Sequence, residues 1–202
     1  MASVDSRSRL LRFALVAGAV TVLALGAVWL VARSDGGIAS GGPLACPECH
    51  TGASMPMSVG ELGTYGAANL DNHGKEPAVL DRVELVDRTR GLRILGPLVF
   101  RSGDRPGGGI GLIRQFPPPG LKGALHPLHG YRVLPYRSFD DDVALLVGVS
   151  PLREGKLSYR KLKLYYHVGE ERYVATFDMG VRVCAPRSVQ LARCPTPLDD
   201  QE

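Results

Sequence analysis

An uncharged apolar run near the N-terminus constrains this chain more than any other feature of its sequence. The run extends from Phe13 to Ala32 (FALVAGAVTVLALGAVWLVA) and holds 20 residues without a charged side chain. A helix of that length crosses a hydrocarbon core of about 30 Å. Trp29 stands near one end of the run, where an amphipathic ring favours the level of the lipid headgroups. The run therefore predicts one transmembrane helix over residues 13–32, with the lipid bilayer as its partner.

The charges beside the run predict its orientation. Arginines at positions 7, 9 and 12 precede it, whereas only Arg33 follows directly, with Asp35 close behind. The positive-inside rule places residues 1–12 in the cytoplasm and the C-terminal part outside the cell membrane. A cleaved signal peptide is the alternative, because small residues at Gly37 and Ala39 offer a cleavage site. Its apolar region is usually only about 7 to 15 residues long, which favours a retained single-pass anchor.

The net charge of the whole chain, +4, conceals an exported part that is electrically balanced. Residues 1–33 carry four Arg and one Asp, and the remainder carries 20 basic and 19 acidic side chains. A domain that binds nucleic acid concentrates basic residues on its folded part. The sequence therefore predicts no nucleic-acid partner.

Alternation of apolar and polar residues dominates the region after the anchor. Residues 33–57 form a Gly/Ser-rich spacer and a cysteine-containing entry, residues 58–185 hold the alternating segments, and residues 186–202 form a tail. The clearest alternation runs from Lys156 to Cys184 and predicts a long β-hairpin that turns at Gly169–Glu171. The continuous apolar run Val143–Val149 predicts a buried strand.

Shorter alternating or apolar segments predict the remaining strands. These candidates are Ser58–Leu70, Val79–Val86, Leu92–Arg101, Gly111–Phe116 and Tyr131–Leu134. Turn residues separate them, and no helical period is found after residue 33. About seven short strands at such spacing predict an all-β fold, an antiparallel β-sandwich preceded by the transmembrane helix.

Two segments carry a resemblance to a known group of proteins. The run Asn69–Leu85, in which an Asn-x-Gly turn leads into a strand, is similar to the early strands of immunoglobulin-like modules in bacterial envelope proteins. The run Val149–Tyr159 resembles the corner before their last hairpin, where a Tyr bonds back to the backbone. The chain thus resembles single-pass membrane-anchored proteins of GC-rich Gram-positive bacteria with an immunoglobulin-like extracytoplasmic domain. The resemblance implies that fold and brings no activity with it.

The sharpest chemical motif is Cys46-Pro-Glu-Cys49-His50. C-x-x-C-H outside the membrane is the attachment signature of c-type haem, with two thioethers and an axial His. Two thiolates with His50 also suit zinc or copper(I), and Met55 and Met57 add soft ligands. A metal or haem carrier is therefore the alternative function. The flanking Gly, Ser, Pro and Thr offer no apolar haem pocket, and an oxidising compartment disfavours free thiolates.

A disulfide framework is the simpler reading of the four cysteines. They allow three connectivities, between which the sequence does not decide. A Cys184–Cys194 bond is favoured because it would fix the tail against the last strand, and Cys46 then pairs with Cys49. In the other two connectivities, Cys46 and Cys49 each cross to a cysteine of the tail. The predicted exported domain then needs no cofactor.

A long irregular region is the predicted place for a partner to bind. It runs from about Arg101 to Gly130 and contains the rigid segment Phe116-Pro-Pro-Pro-Gly120. Phe116, Pro118 and Tyr131 are the candidate contact residues. Two loop histidines, His126 and His129, a glycine-rich stretch at 107–111 and the acidic run 140–142 read as surface features rather than metal or phosphate sites.

No catalytic motif is recognisable, which gives no argument for an enzyme. The predicted function is that of a non-catalytic interaction or accessory module of the cell envelope, with another envelope protein as its partner.

Overall fold

The alternating segments form fourteen β-strands within the described residues of this computed structural model, which are 38–101, 103, 111–121, 123–138 and 141–199. The strands are β1 (Ala39–Ser40), β2 (Leu44–Ala45), β3 (Gly52–Pro56), β4 (Gly63–Asn72), β5 (Ala78–Val86), β6 (Leu92–Arg101), β7 (Leu112–Ile113), β8 (His126–Pro127), β9 (Arg132–Val133), β10 (Val143–Pro151), β11 (Gly155–Tyr159), β12 (Lys161–Val168), β13 (Glu171–Phe177) and β14 (Gly180–Ala185). A 3-10 turn follows at Leu191–Arg193. The all-β prediction is confirmed.

The predicted cytoplasmic tail, residues 1–12, and the predicted transmembrane helix, residues 13–32, lie outside the described residues. Within the described ranges, no helix has the length and apolar character needed to cross a membrane.

Three sheets organise the strands. The first has the order β1-β13-β12-β5-β9, the second has the order β2-β4-β10-β6-β8 with β7 added beside β4, and the third has the order β11-β14-β3. Most pairs are antiparallel, but β1 pairs with β13 and β3 pairs with β14 in parallel. The prediction of a purely antiparallel sandwich was therefore wrong at these two edges. The prediction of about seven strands was also too low, because short edge strands carry too little alternation to be recognised.

The predicted long hairpin is confirmed, and it bends. Its outer part pairs β11 with β14, and its inner part pairs β12 with β13, so one hairpin serves two sheets. The bend requires Gly180, since a Cβ there would come within 2.9 Å of the Tyr159 carbonyl oxygen and 2.6 Å of Pro197. The chain turns between β12 and β13 at Gly169, whose φ of 56° is the left-handed region that glycine adopts at little cost.

One main core lies between the first two sheets. Alternate residues of β12, namely Leu162, Leu164 and Tyr166, share it with alternate residues of β10, such as Leu145 and Val147. All five side chains are almost completely buried. This face-to-face packing of inward-pointing side chains is consistent with a β-sandwich.

A second, smaller core explains why β10 is buried at all nine positions. Two further side chains of β10, those of Ala144 and Leu146, point to the opposite face of the sheet and pack with Phe100 and Leu121. Leu121 belongs to the long connection that follows β7. That connection lies over the outer face of the second sheet, so the predicted buried strand is confirmed with both faces covered.

Candidate functional site

The cysteines of the C-x-x-C-H motif are bonded to each other. A Cys46–Cys49 disulfide closes the entry segment, with Cα atoms 5.3 Å apart. Cys49 is buried in the main core, whereas His50 is exposed. With both sulfurs in the disulfide, neither is a thiolate for a metal or a thiol for haem attachment. The described residues also contain no cluster of three or more His, Cys, Asp or Glu side chains that could hold a metal ion.

A second disulfide ties the tail to the last strand. Cys184 and Cys194 are joined with Cα atoms 6.0 Å apart, and both are buried. The tail beyond them is held by Arg182, whose guanidinium donates to the carbonyl oxygens of Pro195 and Thr196 at 3.1 and 3.3 Å. This arrangement fixes residues 194–196 beside β14.

The three predicted partner-binding residues are half-buried or buried. Phe116 is half-buried, and its ring lies where a Cβ at Gly148 would come within 2.7 Å of it. Pro118 is buried. Tyr131 is half-buried, and its backbone carbonyl accepts from the Leu80 amide at 2.9 Å. All three side chains are thus at least partly covered within the domain.

The entry segment is held by a tyrosine that the sequence did not single out. Tyr166 donates through its hydroxyl to the Gly41 carbonyl oxygen at 2.7 Å and accepts from the Leu44 amide at 3.2 Å. The resemblance implies this kind of bond for a Tyr at the corner before the hairpin, which is Tyr159. That expectation was wrong, because the Tyr159 hydroxyl is buried without a hydrogen-bond partner in the described part of the chain.

A pair of buried carboxyl groups lies where β4 pairs with the start of β10. Asp142, 5% exposed, precedes β10 and contacts Asp71, 9% exposed, on β4. Burial, the hydrogen bond to Asp71 and the charges of Asp71, Asp141 and Glu48 raise the pKa of Asp142 to about 7. One oxygen, Oδ1 of Asp142, is buried with no hydrogen-bond partner. Asp142 therefore keeps its proton up to near neutral pH.

One end of the domain collects exposed arginines, and we call it the basic end. Three connections meet there through hydrogen bonds to backbone carbonyl oxygens. The Gly60 amide donates to the carbonyl oxygen of Pro151, and the Leu152 amide donates to that of Gly91. The Arg153 side chain donates to the Arg90 carbonyl oxygen at 3.1 Å. The basic end comprises Val59, Arg88, Arg90, Arg93, Leu152 and Arg153.

The side chains of the basic end combine positive charge with apolar surface. All four arginines are exposed, and none forms an ion pair with a carboxylate in the described ranges. Two exposed carboxylates, Asp87 and Glu154, lie next to these arginines in the sequence. Leu152 and Val59 are 53% and 47% exposed. Sequence reasoning missed this surface, because Arg88, Arg90 and Arg93 are far along the chain from Arg153 and only the fold brings them together.

Comparisons with known proteins give little. No protein-family model matches the chain, and no curated protein matches it. A solved structure of the VesB protease of Vibrio cholerae is similar at a TM-score of 0.35 and 8% sequence identity, covering 71% of this chain and 32% of that chain. This chain thus spans about a third of that protein, and a likeness of this size bears on neither fold nor activity.

Proposed function

We propose that this chain is a single-pass membrane protein whose extracytoplasmic, immunoglobulin-like β-sandwich docks onto another envelope protein. The uncharged run of residues 13–32 and its arginine-rich leading flank support the anchor and an N-terminus in the cytoplasm. Two disulfides fit an oxidising compartment outside the cytoplasm.

The order of the strands supports the immunoglobulin-like part of the proposal. An immunoglobulin constant domain places strands A, B, E and D in one sheet and C, F and G in the other. The order β2-β4-β10-β6 matches the first set, and β5-β12-β13 matches the second. The first strand divides between sheets, since β2 pairs with β4 and β3 pairs with β14. The core Trp of antibody domains has no counterpart, as the single Trp of the chain is Trp29.

The basic end carries the docking part of the proposal. Exposed guanidinium groups without internal carboxylate partners attract an acidic surface and form charge-assisted hydrogen bonds with it. Leu152 and Val59 add apolar area that a protein partner would bury, and Arg is enriched in the centres of protein interfaces. The partner is therefore an envelope protein that presents carboxylates around an apolar patch.

Site-specific photo-crosslinking in intact cells tests the docking. We expect a photoreactive amino acid at position 152 to give a discrete protein adduct, and the same amino acid at Glu76, in the exposed loop after β4, to give none. The double variant R90E/R153E should abolish the adduct, whereas R137E, an exposed arginine elsewhere, should retain it. Absence of an adduct at position 152, or an adduct that persists in R90E/R153E, would show that this end is not the docking surface.

A further inference from the structure

A polar groove lies beside the entry segment, away from the basic end. It encloses about 600 Å³, which is within the size range of small-molecule sites. The groove is lined by side chains from β5, β12, β13 and the turn between the last two. The polar lining includes Asp81, Arg82, Tyr165, His167, Glu170 and Arg172.

Three nitrogen-bearing side chains come from neighbouring strands of the groove wall. Arg82 on β5 lies opposite Tyr165 on β12, and His167 on β12 lies opposite Arg172 on β13. Tyr165 and His167 are two positions apart, so they share one face of the sheet. Arg82, His167 and Arg172 therefore lie on one face of three adjacent strands.

Arg82 is held by stacking rather than by an ion pair. Its Cζ atom lies 3.5 Å from the centre of the Tyr165 ring, and the Tyr165 hydroxyl donates to Glu84 at 2.8 Å, which fixes the ring. Arg172 is exposed. Neither guanidinium forms an ion pair with a carboxylate within the described part of the chain. Their N–H donors are thus left for a ligand.

His167 is oriented by a carboxylate. Its Nδ1 lies 3.1 Å from Oδ1 of Asp81, and because a carboxylate accepts, Nδ1 carries the proton and Nε2 is left for a ligand. Asp81 is itself placed by His129, whose Nδ1 donates to the Asp81 carbonyl oxygen at 3.0 Å. Asp81 is therefore engaged by His167, and Glu170 is the remaining carboxylate of the lining.

The geometry points to a binding site for a small organic anion, in which Arg82 and Arg172 hold a carboxylate or phosphate group and Nε2 of His167 accepts a hydrogen bond from a hydroxyl of the ligand beside it. Planar guanidinium groups match both anions through paired N–H donors. The ring of Tyr165 and the exposed Ile38 at the groove offer contacts for an apolar or sugar-like body. The volume suits one or two sugar-sized rings.

Isothermal titration calorimetry on the full chain in detergent micelles tests this site. The probes are glucose 6-phosphate and glucuronate, with glucose as the uncharged control and inorganic phosphate as the test for an anion without a body. We expect at least one of the two anionic sugars to bind at millimolar concentration or tighter, inorganic phosphate to bind more weakly, and glucose to give no heat.

Matched variants then locate the binding. R82Q and R172Q should each weaken it at least about tenfold, because a charge-assisted hydrogen bond contributes more than about 1.4 kcal/mol. R137Q, at an exposed arginine outside the groove, should leave it unchanged. Circular dichroism must give the same unfolding midpoint for all variants that are compared. No binding of either anionic sugar, equal weakening by R137Q, or binding that survives R172Q and R82Q would each overturn the assignment.

Discussion

Asp142 and Asp71 contact each other through their carboxyl groups across β10 and β4, at the point where β2 adds the entry segment to the same sheet. Two buried carboxylates would repel each other, so the contact is favourable only while one of them is protonated. Its strength therefore depends on pH, and the entry segment lies directly beside it.

The pair predicts that stability falls as the pH rises towards 7. Asp142 keeps its proton in the folded state up to a pKa of about 7, whereas in the unfolded chain it loses the proton near 3.8. Between these values the unfolded state binds fewer protons, so the free energy of unfolding decreases with pH and becomes level above about pH 7. Urea unfolding at a series of pH values measures this profile.

Substitution of Asp142 isolates its part of the profile. D142N should flatten the decrease between pH 4 and 7, because an amide fills the same space without a proton to lose, and should leave the protein more stable than the wild type at pH 8. D178N, in an exposed ion pair with Lys161, is the matched control and should keep the wild-type slope. A D142N profile parallel to that of the wild type would contradict the assignment.

The two disulfides should differ in their contribution to stability. Closing the longer loop between Cys184 and Cys194 contributes about 3 kcal/mol in the chain-entropy picture, and closing the short Cys46–Cys49 loop contributes about 2 kcal/mol. The double variant C184S/C194S should therefore lose more free energy of unfolding than C46S/C49S. Peptide mapping without reduction must first find these two pairs. Linkage of Cys46 or Cys49 to the tail would refute the framework.

A glycine in β10 should be intolerant of even one extra carbon. A Cβ at Gly148 would come within 2.7 Å of the Phe116 ring and 2.8 Å of Leu95. G148A should cost about 1 to 3 kcal/mol through overpacking. The same substitution in an F116A background should cost less, since the ring that it meets has gone. Equal costs in the two backgrounds, measured by denaturant unfolding, would mean that the Phe116 loop does not lie over β10.

The pattern of the sequence predicted the elements whose side chains alternate over several residues. The prediction Leu92–Arg101 matches β6 in both bounds, and Val79–Val86 misses β5 by one residue, because each strand has one face in the core. Edge strands such as β1 and β2 are set by hydrogen bonds to a distant strand, to which their own two residues give no clue. The parallel pairing of β1 with β13 and of β3 with β14 could not be predicted for the same reason.

The sites were harder to predict than the fold. Cys46-x-x-Cys49 was visible as a motif, but its chemistry depends on whether the sulfurs are bonded, which local sequence does not decide. Arg90 and Arg153 are 63 positions apart and meet only at the basic end. Arg82, His167 and Arg172 come together through strand register, so none of them stood out alone.

Two buried tyrosines should respond in opposite ways to the loss of a hydroxyl. The Tyr166 hydroxyl makes two hydrogen bonds to the entry segment, so Y166F should cost about 1 to 2 kcal/mol of unfolding free energy. The Tyr159 hydroxyl is equally buried but has no partner among the described residues, so Y159F removes a desolvated polar group and should be neutral or stabilising. Each variant keeps the aromatic ring, so each change in unfolding free energy reports the loss of one hydroxyl group. Urea unfolding of the two variants beside the wild type measures both effects, and a larger loss in Y159F than in Y166F would show that Tyr159, rather than Tyr166, holds the backbone.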